Sequence, residues 1–353
     1  MKYLDLFTGI GGFTYGIQKA YLDNRRSPSS STLEERWDKS LSDNSDGSGG
    51  WPNPTCIGFS EIDKYACQVY QKHYPEHFNY GDITKIIATE LPDFDLLVGG
   101  FPCQAFSIAG KRRGFDDTRG TLFFDIARIL KEKRPRNFIL ENVKGLLSHD
   151  NGNTFKTIIS TLAELGYCVE WQVLNSKNFG VPQNRERVFI IGHLGGMPIR
   201  EVFPIRESNR THLKEVTQGV SDAQRIYESN GISKTLKGLG GGLGAKTGLY
   251  SIPVLTPDRL EKRQNGRRFK EDGEPSFTLT SQDKHGIFNG SRIRRLTPTE
   301  CARLQGFPDN WCEGLSDTQQ YKCYGNAVTT NVITELIKRL YDPKTRKDNG
   351  GVK

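Results

Sequence analysis

The feature that most limits what this chain can fold into is an alternation of short apolar runs with amphipathic stretches. Lys2–Phe7, Thr55–Glu61, Asp95–Val98, Asn137–Leu140, Cys168–Leu174 and Val188–Ile191 read as strands. Phe13–Leu22, Tyr65–His73, Gly120–Lys133 and Thr154–Leu165 read as helices, with Asp63 placed to cap the second of them. Gly81-Asp82-Ile83 reads as the end of one more strand. Strands alternating with helices predict a doubly wound, mostly parallel α/β sheet. Such sheets bind ligands beyond the carboxyl ends of their strands, so the residues at those ends come first.

Thr8-Gly9-Ile10-Gly11-Gly12 follows the first strand and leads into a helix, a cradle in which small residues let a ligand approach the backbone. Thr14 stands where G-x-G-x-x-G requires its third glycine, which disfavours a dinucleotide but leaves an adenosine-bearing ligand open. Residues 23–55 hold eight serines and the run Asp46-Gly47-Ser48-Gly49-Gly50, and read as a flexible insertion. Gly9 and Glu61 are 52 positions apart, and removing those 33 residues leaves 19. That is close to the roughly 20 at which such folds place an acid on a ribose. Glu61 is therefore either a ribose ligand or a solvated strand-end carboxylate. Asp82 is placed to meet an adenine amino group at the same edge.

Asp95–Val98 ends in Gly99-Gly100-Phe101-Pro102-Cys103. Two glycines allow a sharp turn, Pro102 fixes the next φ, and Cys103 is left at the sheet edge. Cys103 is either a nucleophile or a small buried hydrophobe. Asn137–Leu140 delivers Glu141, Asn142 and Val143 to the same edge, and Arg187 opens a later strand, where a solvated charge would be equally ordinary.

After Gly195 the periodicity weakens, glycine rises, and Arg and Lys recur, which predicts a loop-rich domain over 196–317. Such a surface suits wrapped phosphates, and equally a solvated polar domain. The chain carries 49 basic and 41 acidic residues, a net charge of +8 that is compatible with a polyanionic partner. Its seven cysteines are scattered, with no C-x-x-C pair, which disfavours a zinc ribbon or disulfide framework and points to a reducing compartment. The expectation is no metal site, no signal peptide, no membrane span and a cytoplasmic location. A last apolar helix through Ile333, Leu336 and Ile337 is expected to pack back on the first domain.

Read in order, six segments resemble the bacterial DNA (cytosine-5) methyltransferase family. They are Asp5-Leu6-Phe7-Thr8-Gly9-Ile10-Gly11-Gly12-Phe13, Gly100-Phe101-Pro102-Cys103-Gln104-Ala105-Phe106-Ser107, Glu141-Asn142-Val143, Gln183-Asn184-Arg185-Glu186-Arg187, the run from Arg295 to Pro308, and Tyr324-Gly325-Asn326-Ala327-Val328. Each is moderately specific; together, in order, they span the chain. The resemblance implies a class I S-adenosylmethionine-dependent fold. Residues 1–195 and 318–353 would form the catalytic domain, and 196–317 the target-recognition domain and hinge.

It further implies that Cys103 attacks carbon 6 of a flipped cytosine, with Glu141 protonated towards ring N3 and Arg187, backed by Arg185, on the O2 carbonyl. The implied cofactor residues are Phe7, Gly9, Ile10, Gly11, Glu61, Ile62, Asp82, Ile83, Pro102, Leu122, Asn326 and Val328. Duplex DNA would meet Gln104 and Ser107, and also Arg225, Thr235, Gly240, Gly241 and Gly242 in the recognition segment. The Pro253–Phe288 segment looks like an addition to the family pattern. The expected partners are double-stranded DNA and a cognate restriction endonuclease, with the enzyme a monomer. A transfer-RNA cytosine-5 methyltransferase and an inactive DNA-binding relative are the competing readings.

Overall fold

A computed structural model describes residues 1–24, 53–102, 122–196, 201–205, 252–255, 269–270, 274–281, 285–288 and 293–341. The larger sheet has six strands: β1 (Lys2–Leu6), β2 (Thr55–Ser60), β3 (Leu96–Gly100), β4 (Asn137–Val143), β5 (Tyr167–Asn175) and β6 (Glu186–Leu194). Their spatial order is β2-β1-β3-β4-β6-β5. The β1–β2, β1–β3 and β3–β4 pairs are parallel, whereas β6 runs antiparallel to both β4 and β5. Strand order reverses between β1 and β3, and that is the switch point where the crevice of such a sheet opens.

Both faces of the sheet are covered, so its strands are continuous apolar runs instead of alternating ones. On one face α1 (Gly12–Asn24) and the final helix α7 (Thr330–Tyr341) pack with Tyr3, Leu96, Val98, Ile139 and Ile191. On the other, α3 (Leu122–Lys133) and α4 (Asn153–Glu164) pack on Leu4, Leu6, Leu97, Phe138 and Ile190. A third cluster joins α2 (Lys64–His73), α5 (Pro298–Gln305) and α6 (Asp317–Asn326) around Phe59, Tyr70, Trp311 and Tyr324. Asp63 caps α2, accepting from the Tyr65 and Ala66 amides. The last helix does return to the first one. A Cβ on Gly12 would lie 2.7 Å from Val328 Cγ1, just before α7, and one on Gly16 2.6 Å from Ile333 Cβ, so α1 seats this last segment against its own glycines.

The structure corrects one reading of the sequence. The segment ending at Ile83 is no strand. Asn79 makes a single bridge with Phe59, and Ile83–Lys85 is a short 3-10 helix capped by Asp82. Here the Asp82 carboxylate outcompetes the strand ladder by accepting from Thr84 N and Oγ1. The sheet is mostly parallel, as the alternation predicts, and β6 is the strand that runs against its neighbours. Only a short 3-10 turn at Ser176–Phe179 separates it from β5, with no α-helix to carry a parallel crossover, and so short a connection closes an antiparallel pair. Segments at 252–255, 285–288 and 293–295 form a second, three-stranded antiparallel sheet (β7–β9). Among the described residues, no helix is long and apolar enough to cross a membrane.

Candidate active site

The reversal of β6 builds half of the site. A parallel β6 would begin at the opposite edge; the antiparallel one places Arg187 across from Val143, beside the carboxyl end of β4. Glu141 lies two residues before Val143 on the same strand face. Arg187 Nε meets Glu141 Oε1 at 2.9 Å, with side chains only 16% and 12% exposed. An ion pair this enclosed is weakly screened. Gly100 is opposite Glu141 in the register, and a Cβ there would crowd Glu141 Oε2 at 3.3 Å. The glycine pair that sequence reading explained by the turn thus also makes room for the carboxylate.

Asn142, named in the motif but given no role there, is buried and donates from Nδ2 to the Phe101 carbonyl at 2.8 Å. It pins the backbone that leads through Pro102 towards position 103. Cys103 itself, Gln104 and Ser107 lie outside the described residues, as do Arg225, Thr235, Gly240, Gly241 and Gly242 and most of the 23–55 insertion. Arg185 is only 2% exposed and its guanidinium is engaged: it donates to the carbonyls of Leu279, Gly325 and Ala327. Burial, then the neighbouring Arg187 charge, pull its pKa down to about 9. Arg185 therefore clamps three segments, with Arg187 the cation on the pocket side. Gln183 completes the junction, donating to Leu304 O at 2.7 Å and accepting from Leu279 N at 3.0 Å. Segment 274–281, within the stretch read as an addition, threads this junction. It crosses so close to Gly325 that a Cβ there would lie 2.4 Å from the Thr280 carbonyl carbon.

The other half of the edge is made of backbone. Gly9 and Gly11 have φ of +56° and +89°, and Phe7 has the unusual value of +54° for a side chain of its bulk. A Cβ on Gly9, or on Gly81 (φ +71°), would meet nothing within 4 Å, so the turn opens onto free space. Glu61 spans the gap. Its Oε2 accepts from Gly9 N at 2.9 Å, and its Oε1 from the Ile62 and Asp63 amides at 2.8 Å each. Ile62 is 77% exposed, a large apolar side chain left in solvent beside Glu61. Asp82 stays ionised, its pKa lowered chiefly by the Thr84 hydroxyl. Pro102 and Asn326 are exposed, and Phe7 and Leu122 are half-buried. Ile10, Ile83 and Val328 are buried at 1%, 3% and 8% exposure, leaving mainly their backbone to offer a ligand.

Beneath the turn Asp5 is fully buried, with Oδ2 accepting from Thr8 and Thr14 hydroxyls at 2.7 and 2.8 Å. Burial outweighs those bonds and raises its pKa to about 7. Thr14, the departure from the glycine pattern, is the residue that ties Asp5 to Tyr70, at 3.0 Å. Among the described residues, no group of three or more His, Cys, Asp or Glu could hold a metal ion.

The family profile of the C-5 cytosine-specific DNA methylases matches residues 1–342. The chain belongs to that family. It is 41% identical to the type II methyltransferase M1.ScrFI of Lactococcus lactis subsp. cremoris, over 97% of this chain and 78% of that protein. It is 36% identical to the type II methyltransferase M.NlaX of Neisseria lactamica, over 96% of each. Among solved structures, the Dnmt2 methyltransferase of S. pombe superposes with a TM-score of 0.54 at 17% identity, covering 96% of this chain and 98% of that one, a likeness of fold. The protein is thus a DNA C-5 cytosine methyltransferase of the type II restriction–modification kind, a family that generally uses S-adenosylmethionine as methyl donor.

Proposed function

We propose that the enzyme flips a cytosine out of a short duplex site and methylates carbon 5 through a covalent adduct between Cys103 and carbon 6. The ion-paired Glu141 and Arg187, at the strand ends flanking the backbone that leads to Cys103, are the observation that carries this reading. Carbon 5 is a poor nucleophile while the ring is aromatic. When the Cys103 thiolate adds at carbon 6, the ring electrons move towards N3 and O2, and carbon 5 becomes enamine-like. Glu141 donates a proton at N3 and accepts from the exocyclic amine, while Arg187 offsets the charge growing at O2. S-adenosylmethionine, when bound, supplies the electrophilic methyl group. A base then takes the carbon 5 proton, and the bond to Cys103 breaks to return the thiolate.

The donor pocket would comprise Phe7, the Gly9–Gly11 turn, Glu61 to the ribose, Ile62 on the adenine face, Asp82 and Ile83 at its edge, with Pro102, Leu122, Asn326 and Val328 closing it. The open space over Gly9 and Gly81 and the acceptor set on Glu61 fit that donor. The target atom is unreachable in a stacked duplex, so the base must leave the helix. We assign the catalytic domain to 1–195 and 318–353 and the recognition domain and hinge to 196–317, with Gln104, Ser107, Arg225, Thr235 and Gly240–Gly242 on the DNA. Flanks of that segment, at 201–205 and 296–307, pack on the catalytic domain, as a hinge requires. The biological role assigned is protection of DNA, as a monomer in the cytoplasm, from a cognate restriction endonuclease.

Duplex DNA carrying 5-fluorocytosine tests the chemistry, because elimination is blocked and the adduct should survive denaturation. Absence of an adduct would overturn the mechanism, and an adduct that persists in Cys103→Ala would remove Cys103 from it. Tritiated-methyl transfer to duplex DNA and to bulk transfer RNA separates the two substrate classes, and bisulfite sequencing of DNA from expressing cells reads the site.

A further inference from the structure

Trp311 is buried, comes from the loop after α5, and lies next to neither Glu141 nor Arg187, yet it reaches the glycine turn. Its indole Nε1 donates to the Ile10 carbonyl at 2.9 Å across 301 positions of sequence. Its ring lies on His73 with centroids 3.6 Å apart and planes 9° from parallel. His73 Nε2 also bonds the Trp311 carbonyl at 2.8 Å. Tyr15 meets the same indole edge-on at 5.1 Å. His73 closes α2, the helix whose other end is capped by Asp63, two residues after Glu61. Glu61 Oε2 returns to Gly9 N at 2.9 Å. The contacts therefore form a closed frame: Ile10 to Trp311, Trp311 to His73, along α2 to Glu61, and back to the turn at Gly9.

We propose that Trp311 is a positioning residue for the methyl donor. It fixes the spacing between the glycine turn and the acid of the donor pocket, without touching the donor. The inference rests on the donor pocket assigned above. A turn carbonyl without a protein donor is free to rotate towards water, and the turn's positive-φ geometry then loses its anchor. Only the indole N–H supplies this bond; the stacking on His73 needs just a flat ring.

Trp311→Phe separates the two contributions, because it keeps a ring on His73 and removes the donor. Calorimetric titration with S-adenosylhomocysteine should show affinity weakened roughly tenfold, the order expected when a buried carbonyl loses its partner. KM for S-adenosylmethionine should rise in parallel, while kcat at saturating donor and KM for DNA stay within about twofold. His73→Leu, which breaks the bond to the Trp311 carbonyl at the surface side of the frame, should give a smaller weakening of about threefold and carries the test if Trp311→Phe does not fold. Unchanged donor affinity in a folded variant, with only a lower melting temperature, would overturn the inference. Failure of the wild-type enzyme to bind S-adenosylhomocysteine would instead overturn the pocket itself.

Discussion

The two halves of the carboxyl edge are built from different materials. The half beside β4 and β6 is made of side chains: Glu141 against Arg187, and Asn142 on the Phe101 carbonyl. The half beside β1 and β2 is made of backbone shape: left-handed turns at Gly9, Gly11 and Gly81, with Glu61 tying Gly9 to the start of α2. Charge placed on side chains can be removed by one substitution without disturbing the fold. Shape held in the backbone can be removed only by distorting it or by filling its space. The first half should thus respond in kcat and the second in donor affinity.

The largest effect expected is from Glu141→Gln, which keeps the volume and removes both the charge and the transferable proton. Single-turnover methyl transfer should fall by about a hundredfold or more, with S-adenosylhomocysteine affinity within twofold. A matching loss of donor affinity would break the comparison. Asn142→Leu should come next, lowering the turnover rate by roughly tenfold as the Phe101 carbonyl loses its donor, again with donor binding preserved. Gly9→Ala probes the other half. Its left-handed φ of +56° would cost an L-residue about 1 kcal/mol, and its methyl would enter the donor space. Donor affinity should fall roughly tenfold while turnover at saturation is kept.

Asp5 sharpens the contrast through pH. Its folded pKa of about 7 lies above its unfolded value. Folding is then favoured most below the unfolded pKa, and this contribution is lost as pH climbs from about 4 to about 7. Asp5→Asn removes that slope, so urea denaturation should show the variant gaining stability relative to wild type between pH 5 and pH 7.5. A constant difference between the two proteins would mean that Asp5 is ionised alike in both states.

The glycine turn after β1 and the acid after β2 were legible because glycines and acids at strand ends are local signals. Gly9 and Gly11 could be read from the turn motif, and Glu61 from its spacing to Gly9 once the insertion was subtracted. The half beside β4 and β6 depended on a direction that no single segment encodes. Whether Arg187 sits beside Glu141 or at the far edge is decided by the sense of β6, and the clue was the lack of room for a crossover α-helix between Leu174 and Val188. The third-strand reading at Gly81 failed because Asp82, a capping residue, was read as a strand end. Trp311, and the clamping contacts of Arg185, escaped for another reason. Their partners are backbone carbonyls hundreds or scores of positions away, and a carbonyl has no letter in the sequence.

The packing of Gly12 on Val328 also sets an order of events. The strand, turn and acid that would hold the donor are made early in synthesis, but the segment against which α1 seats is made 316 positions later. A nascent chain halted before Asn326 would carry five of the family segments and still lack one wall of the donor pocket, so an emerging chain should acquire methylating capacity abruptly, after its recognition segment has already been made.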